Sequence, residues 1–125
     1  MKNLSLLLLM VVFIVGCSSK SKVLLNEPPV IVKISELQKY WTPTQDSLTF
    51  SNNFTPPKES GFVKVKYLID SNGEIFNPII TESRGGWDKF ALRALKEIHY
   101  INTEYNIKKT PVYVIKEFTF AAPKI

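Results

Sequence analysis

Side chains that could carry out chemistry are few in this 125-residue sequence, which contains one cysteine, Cys17, and one histidine, His99. A zinc site of the usual type needs several such ligands, so no metal site is predicted. His99 is expected in the last turn of a helix, where an imidazole is commonplace. Asp70 and Glu74 flank a turn, where aspartate is normal, and the sequence has no glycine-rich phosphate loop. We therefore expect neither enzymatic activity nor a cofactor.

Cys17 directly follows an apolar stretch at the N-terminus. Lys2 is the single charge in residues 1–16, and Ser5 is the single polar residue in residues 4–15. A membrane-spanning helix needs about 20 apolar residues, whereas a positive start followed by an apolar core of about 7 to 15 is typical of a secretory signal. Residues 1–16 are therefore predicted to be a signal peptide that directs export.

The last four residues of this stretch, Ile14-Val15-Gly16-Cys17, resemble the bacterial lipobox. The resemblance implies cleavage before Cys17, a diacylglycerol on its thiol and a further acyl chain, such as palmitate, on its amine. Several acyl chains at about 0.8 kcal/mol per buried methylene hold a protein on a membrane almost irreversibly. The alternative is a free cysteine after an ordinary signal. Ser18 stands where aspartate would retain the lipoprotein, so the resemblance favours the periplasmic side of the outer membrane over the inner membrane.

Between the signal and the clearer C-terminal pattern lie two less regular segments. Residues 17–29 mix serine, lysine and proline and are expected to be a lipidated tether. Residues 30–57 are an uncertain N-terminal extension with one strand-like run and one turn of helix. A domain of about 60 residues is marginal in the area it buries, so residues 30–34, or Tyr40 and Trp41, are expected to pack on the core.

A hairpin opens the domain predicted over residues 58–125. Residues 61–69 alternate in polarity as a half-buried strand does, and residues 70–73 supply a turn before a second strand at residues 75–81. Pro78 cannot donate a hydrogen bond to a neighbour. This second strand is therefore predicted to lie at an edge and to bulge at the preceding residue.

One helix and a last strand complete the predicted domain. Residues 88–100 carry apolar side chains at helical spacing, with Asp88 as N-cap and Trp87 packing on Leu92. Residues 111–120 are rich in β-branched and aromatic side chains. The fold class is therefore α+β, with a three-stranded antiparallel sheet in the order 2-1-3 and one amphipathic helix on one face. The last strand becomes the one long free edge.

In order and spacing, these elements resemble the C-terminal domain of TonB, the periplasmic energy transducer. The matching residues are Gly61, Val63, Val65, Tyr67, Ile69, Asp70, Gly73, Ile75, Ser83, Trp87, Asp88, Ala91, Leu92, Ala94, Leu95, Tyr100, Pro111, Val112, Phe118 and Phe120. The resemblance implies that the last strand binds an extended peptide by strand addition. The partner-binding residues implied are Val112, Tyr113, Val114, Ile115, Lys116, Glu117 and Phe118. The transducer's transmembrane helix and proline-rich span have no counterpart here, so force transmission is not implied.

The expected function is that of a membrane-anchored periplasmic adaptor lipoprotein that binds an extended peptide of an envelope protein. A TonB-dependent outer-membrane transporter is one candidate partner, which would place the protein in transport. The alternative is a structural lipoprotein that stabilises an envelope complex or contacts peptidoglycan, with Lys116 and Glu117 merely shielding the edge. A small periplasmic hydrolase is a third class. Export argues against nucleic acid as a partner, and the sequence leaves the oligomeric state open.

Overall fold

The structure of the protein is a computed structural model that describes residues 22–44 and 55–123. The predicted signal peptide, Cys17 and residues 45–54 of the extension lie outside these ranges. The secondary structure is, in chain order, β1 (Val30–Ile31), a 3₁₀ helix (Ile34–Lys39), β2 (Trp41–Pro43), β3 (Gly61–Ile69), β4 (Ile75–Arg84), α1 (Asp88–Lys96), β5 (Tyr100–Asn102) and β6 (Val112–Phe120).

The main sheet contains four strands in the order β1-β6-β3-β4. β3 lies between β4 and β6 and is antiparallel to both, whereas β1 runs parallel to the start of β6. The α+β class is confirmed, but the predicted three-stranded antiparallel sheet of order 2-1-3 is wrong in strand number and in its outer edge. The physical reason is that β1 is only two residues long and pairs with residues about eighty positions away. No local sequence pattern therefore reveals it.

β4 shows the irregularity that Pro78 predicted. Its register with β3 shifts twice, and the second shift falls opposite Asn77 and Pro78. Asn77 has a φ of 52°, in the left-handed region that a bulge residue often adopts. β4 runs on to Arg84, three residues beyond the predicted end, because its pairing with β3 continues to Phe62.

α1 is shorter than the predicted helix over residues 88–100. It ends at Lys96, and Tyr100 instead begins β5, which pairs antiparallel with β2 in a small second sheet. The Tyr100 N–H donates to the carbonyl of Gly73 at 2.9 Å, so the hairpin turn captures the chain just after the helix. Gly73 has a φ of 82°, and a Cβ there would collide with the Tyr100 carbonyl. The helix therefore stops where tertiary contacts offer better partners.

The start of α1 also differs from the prediction. Trp87 occupies the N-cap position without a side-chain capping bond, and Asp88 is the first helical residue rather than the cap. The Trp87 ring stacks on Phe120 of β6, with ring centroids 4.6 Å apart and planes 4° from parallel. It also lies 5.5 Å from the ring of Phe90. Leu92, the contact predicted for Trp87, is half-buried against the core.

A single apolar core lies between α1 and one face of the sheet, and the extension contributes to it. Leu37 of the 3₁₀ helix is 6% exposed and Trp41 of β2 is 2% exposed. The Trp41 indole N–H donates to the Thr110 carbonyl at 2.9 Å. The expectation that part of residues 30–57 packs on the core is confirmed, and the folded unit begins well before residue 58.

Part of the predicted tether also belongs to the fold. The Leu24 N–H donates to Asp70 Oδ2 at 2.9 Å, and the Ser71 N–H donates to the Leu24 carbonyl at 2.8 Å. The Asn26 N–H donates to Ser71 Oγ at 2.9 Å. Because Asp70 and Ser71 are both buried, these bonds fix the leader, defined here as residues 22–32, to the turn between β3 and β4.

Candidate functional site

The outer edge of β6, predicted to be open along its length, is partly covered by the protein itself. The Val30 N–H donates to the Pro111 carbonyl and the Val32 N–H to the Tyr113 carbonyl, both at 3.0 Å. Two of the predicted partner-binding residues, Val112 and Tyr113, are therefore paired with β1. The expectation of a fully free edge is corrected, because the leader fixed at Asp70 and Ser71 leads directly into this position.

Beyond Tyr113 the edge is regular. β6 keeps an unbroken register with β3 from Val112 to Phe120. Within residues 22–44 and 55–123, no strand pairs with the outer side of residues 114–120. Backbone groups alternate between the two sides of a strand, and the carbonyls of Pro111 and Tyr113 point outward, toward β1. The backbone groups that continue the outward series are those of Ile115, Glu117 and Thr119.

The predicted partner-binding residues fall into two sets, according to the face of the sheet on which their side chains lie. Val112, Val114 and Phe118 have side chains buried in the core, where they hold the strand in place. Lys116 lies in the same row, with its ammonium 5.2 Å from the Phe118 ring centroid. Tyr113, Ile115 and Glu117 project from the opposite face of the sheet, where a partner could touch them. Thr119, which is exposed, completes this outward series and was not predicted.

An open groove of about 590 Å³ lies where β1 leaves the edge of β6. Its walls come from the leader, from the 3₁₀ helix and from the outer face of the sheet. Ile31 is 82% exposed there, and Ile34 and Ile115 are about half exposed. The lining residues are Ile31, Val32, Lys33, Ile34, Glu36, Lys66, Tyr113, Val114 and Ile115. In the sequence, only the largely apolar run from Val30 to Ile34 hints at this groove, and nothing there joins that run to β6.

The other outer edge of the sheet, along β4, is a poorer template for an added strand. Pro78 has no N–H to donate, and Asn77 departs from extended geometry. Two register shifts bend the strand within ten residues. Of the two edges, only the one formed by β6 presents evenly spaced backbone groups.

The far end of β6 is packed from behind by aromatic side chains. Phe120 stacks on Trp87, whose indole N–H donates to the Glu59 carbonyl at 2.8 Å. Deeper in the core, Tyr67 of β3 and Tyr100 of β5 share a hydrogen bond between their hydroxyl oxygens at 2.8 Å. Burial raises the pKa of both tyrosines above the ordinary value, so both stay neutral at physiological pH.

Residues considered for other chemistry are dispersed. His99 is exposed, and its carbonyl accepts hydrogen bonds from the Thr44 N–H and hydroxyl. Asp70 is fully buried and accepts from the Asn72 and Glu74 amides in addition to Leu24. Among the described residues, no three His, Cys, Asp or Glu side chains are grouped to hold a metal ion. None of the helices in this part of the chain is long and apolar enough to cross a membrane.

Comparison with known proteins adds no assignment. No family model matches the sequence, and no curated protein shows significant similarity to it.

Proposed function

We propose that this protein is a periplasmic adaptor lipoprotein, anchored in the outer membrane through Cys17, that binds an extended peptide of an envelope protein by strand addition along residues 114–120. The observation that carries the proposal is the regular outer edge of β6 beside an apolar groove. Resemblance to the TonB C-terminal domain supports the same mode of binding. A TonB-dependent outer-membrane transporter is one partner of the right kind.

The geometry limits the length of the bound segment. Ile115, Glu117 and Thr119 together offer up to about six backbone hydrogen bonds, each netting about 1 kcal/mol. Ordering a flexible peptide costs about 2 to 5 kcal/mol, so backbone pairing alone leaves little affinity. One large apolar side chain buried in the groove would add about 1.5 to 3 kcal/mol. The expected dissociation constant is therefore about ten micromolar to about ten millimolar.

A proline at an outward-facing position tests this proposal. Glu117→Pro removes one outward N–H, and Glu117→Ala is the matched control that keeps it. A photoreactive residue at Thr119 in living cells should capture an envelope protein in the Glu117→Ala background and lose it in the Glu117→Pro background. The same photoreactive residue at exposed Ser83 on β4 controls for chance collisions. Equal capture by a folded Glu117→Pro protein would exclude strand addition.

The pairing of β1 with β6 favours a second candidate function. Because the protein's own leader already covers Val112 and Tyr113, the edge resembles one that is being shielded rather than offered. A structural lipoprotein that contacts peptidoglycan or an envelope complex through other surfaces would show capture insensitive to Glu117→Pro. The photocrosslinking comparison therefore separates the two candidates.

A further inference from the structure

The leader and the loop before β6 form one continuous surface at the end of the molecule where the chain enters. Ser71 connects them, because its hydroxyl donates to the Lys109 carbonyl at 2.7 Å while its N–H donates to the Leu24 carbonyl. The Lys108 ammonium lies 3.7 Å from the carboxylate of Glu27, and that carboxylate also accepts from the Thr110 hydroxyl. We call this surface, made of residues 22–27 and 104–109, the entry surface.

The entry surface displays apolar side chains to solvent. Tyr105 and Ile107 are 82% and 81% exposed, and the leader adds three consecutive half-exposed residues, Val23, Leu24 and Leu25. Isolated exposed apolar residues are ordinary, but five at one end of a small domain indicate a surface that binds something.

The turn that carries Tyr105 and Ile107 is held firmly. Asn106, between them, is 4% exposed, and its amide donates to the Tyr40 carbonyl at 3.1 Å. Its side-chain oxygen accepts from the Thr110 N–H at 2.9 Å. Both neighbours are therefore presented outward by a buried anchor, rather than by a loop free to fold them away.

Charge on the entry surface is mixed with a positive excess. Its lysines are Lys22, Lys108 and Lys109, and its carboxylates are Glu27 and Glu104. Lysines beside exposed apolar and aromatic side chains suit a phospholipid headgroup layer, where the ammonium groups meet phosphates and the apolar parts enter the acyl boundary.

We propose that the entry surface rests on the phospholipid bilayer, with Tyr105, Ile107 and residues 23–25 inserted at the headgroup level. This inference rests on the lipid anchor in the proposed function. Leu24 lies seven positions after Cys17, a stretch that spans about 25 Å at most when fully extended. An acylated Cys17 would therefore keep this end of the domain beside the membrane.

The docked orientation has a consequence for β6. Its first residue, Val112, follows the loop of the entry surface, and Phe120 lies eight residues further, roughly 26 Å along an extended strand. The strand-addition edge would therefore point away from the bilayer, with its covered end nearest the lipid and its open end toward the periplasm.

Depth-dependent fluorescence quenching on the acylated full-length protein tests the docking. Because the thiol of acylated Cys17 is blocked, Glu104→Cys introduces a single reactive thiol that leaves Tyr105 and Ile107 intact. An environment-sensitive dye attached to this thiol is compared with the same dye attached at Ser83→Cys. Ser83 lies at the opposite end of the sheet from the β3–β4 turn. The vesicles contain phosphatidylethanolamine and phosphatidylglycerol, with or without headgroup-level quencher lipids.

We expect quencher lipids to reduce the dye signal at position 104 by at least about threefold more than at position 83. Adding Tyr105→Ser and Ile107→Ser should remove that difference, and vesicles without phosphatidylglycerol should reduce it. Equal quenching at both positions on vesicle-bound, acylated protein would overturn the docking while leaving the anchor intact. A concentration-dependent blue shift at position 104 without lipid quenching would assign the surface to a second copy and overturn it as well.

The anchor itself is read out separately. The mass of the N-terminal peptide reports acylation of Cys17, and vesicle flotation reports membrane attachment. Absence of acylation and of flotation would overturn the lipid anchor and, with it, the docking. If the docking alone fails, the N-terminal peptide still has the acylated mass, so the peptide mass distinguishes the two outcomes.

Discussion

The hydroxyl oxygens of Tyr67 and Tyr100 lie 2.8 Å apart in the core and join the main sheet to the small sheet formed by β2 and β5. Replacing either tyrosine by phenylalanine leaves a buried hydroxyl without this partner, so each single change should cost about 1 to 3 kcal/mol. The double change removes both polar groups and should cost less than the sum. A double-mutant cycle from urea unfolding measures the coupling, and strict additivity would contradict a shared hydrogen bond.

The same pair predicts how stability responds to alkaline pH. Burial raises the pKa of both tyrosines, so the folded protein holds two protons that the unfolded chain releases near pH 10. Since the folded state then binds more protons, the free energy of unfolding should fall as pH rises above about 10, by up to about 1.4 kcal/mol per unit for each tyrosine. Urea titrations of the wild type and of Tyr67→Phe/Tyr100→Phe at several pH values check this, because the double variant should lack that part of the slope.

Asp70 should help to hold the leader in place. Its buried carboxylate accepts backbone amides from Leu24, Asn72 and Glu74. Asp70→Asn replaces one acceptor oxygen by a donor, and we expect a loss of about 1.5 to 3 kcal/mol. The control Asp88→Asn, in the first turn of α1, should cost about 0.3 to 1 kcal/mol. Hydrogen exchange at the Leu24 amide should accelerate in the first variant alone, and unchanged protection would contradict the proposed attachment.

The extension should be essential for folding. A chain that starts at residue 58 lacks Leu37, Trp41 and the strand that covers Tyr113, and we expect it to be unfolded at room temperature. Trp41→Ala in the full chain should cost about 3 to 5 kcal/mol, because the buried indole and its hydrogen bond to Thr110 are both lost. Circular dichroism with urea unfolding measures both, and equal stability of the short and long chains would show that the extension is passive.

Proline scanning of β6 should reveal the direction of its backbone groups. Lys116 directs its N–H toward Val65 of β3, so Lys116→Pro should break the ladder and cost about 3 kcal/mol or more. Glu117→Pro removes an outward N–H and should cost much less. The N–H groups of Val114 and Lys116 both point toward β3, so a proline at either position would not test strand addition. Comparable destabilisation at positions 116 and 117 would contradict the observed register.

Local patterns along the chain were enough to predict most of the central fold. The polarity alternation in residues 61–69 identified β3, the turn residues up to Gly73 identified the hairpin, and Pro78 indicated both the edge position and the bulge of β4. These features depend on side chains and backbone preferences within a few residues of one another. The C-terminal limit of the helix was predicted less well. Tyr100 was expected to be helical, but it begins β5, which pairs with β2 of the extension.

The candidate site was predicted only in part. β6 was identified from its composition, but the covering of Val112 and Tyr113 by β1 and the groove beside Ile115 were not. The covering strand and the groove both depend on the path of the leader, which is set by its hydrogen bonds to Asp70 and Ser71. These hydrogen bonds join positions more than forty residues apart.

The sequence by itself determined which segments form β3, β4, α1 and β6, because side-chain periodicity and turn chemistry act over short distances. Tertiary structure alone decided that the leader would pair with β6, which backbone groups of that strand face outward, and that Tyr105 and Ile107 would lie beside the chain entry. A two-residue strand has no periodicity to detect, and its position is set by hydrogen bonds to residues distant in the chain.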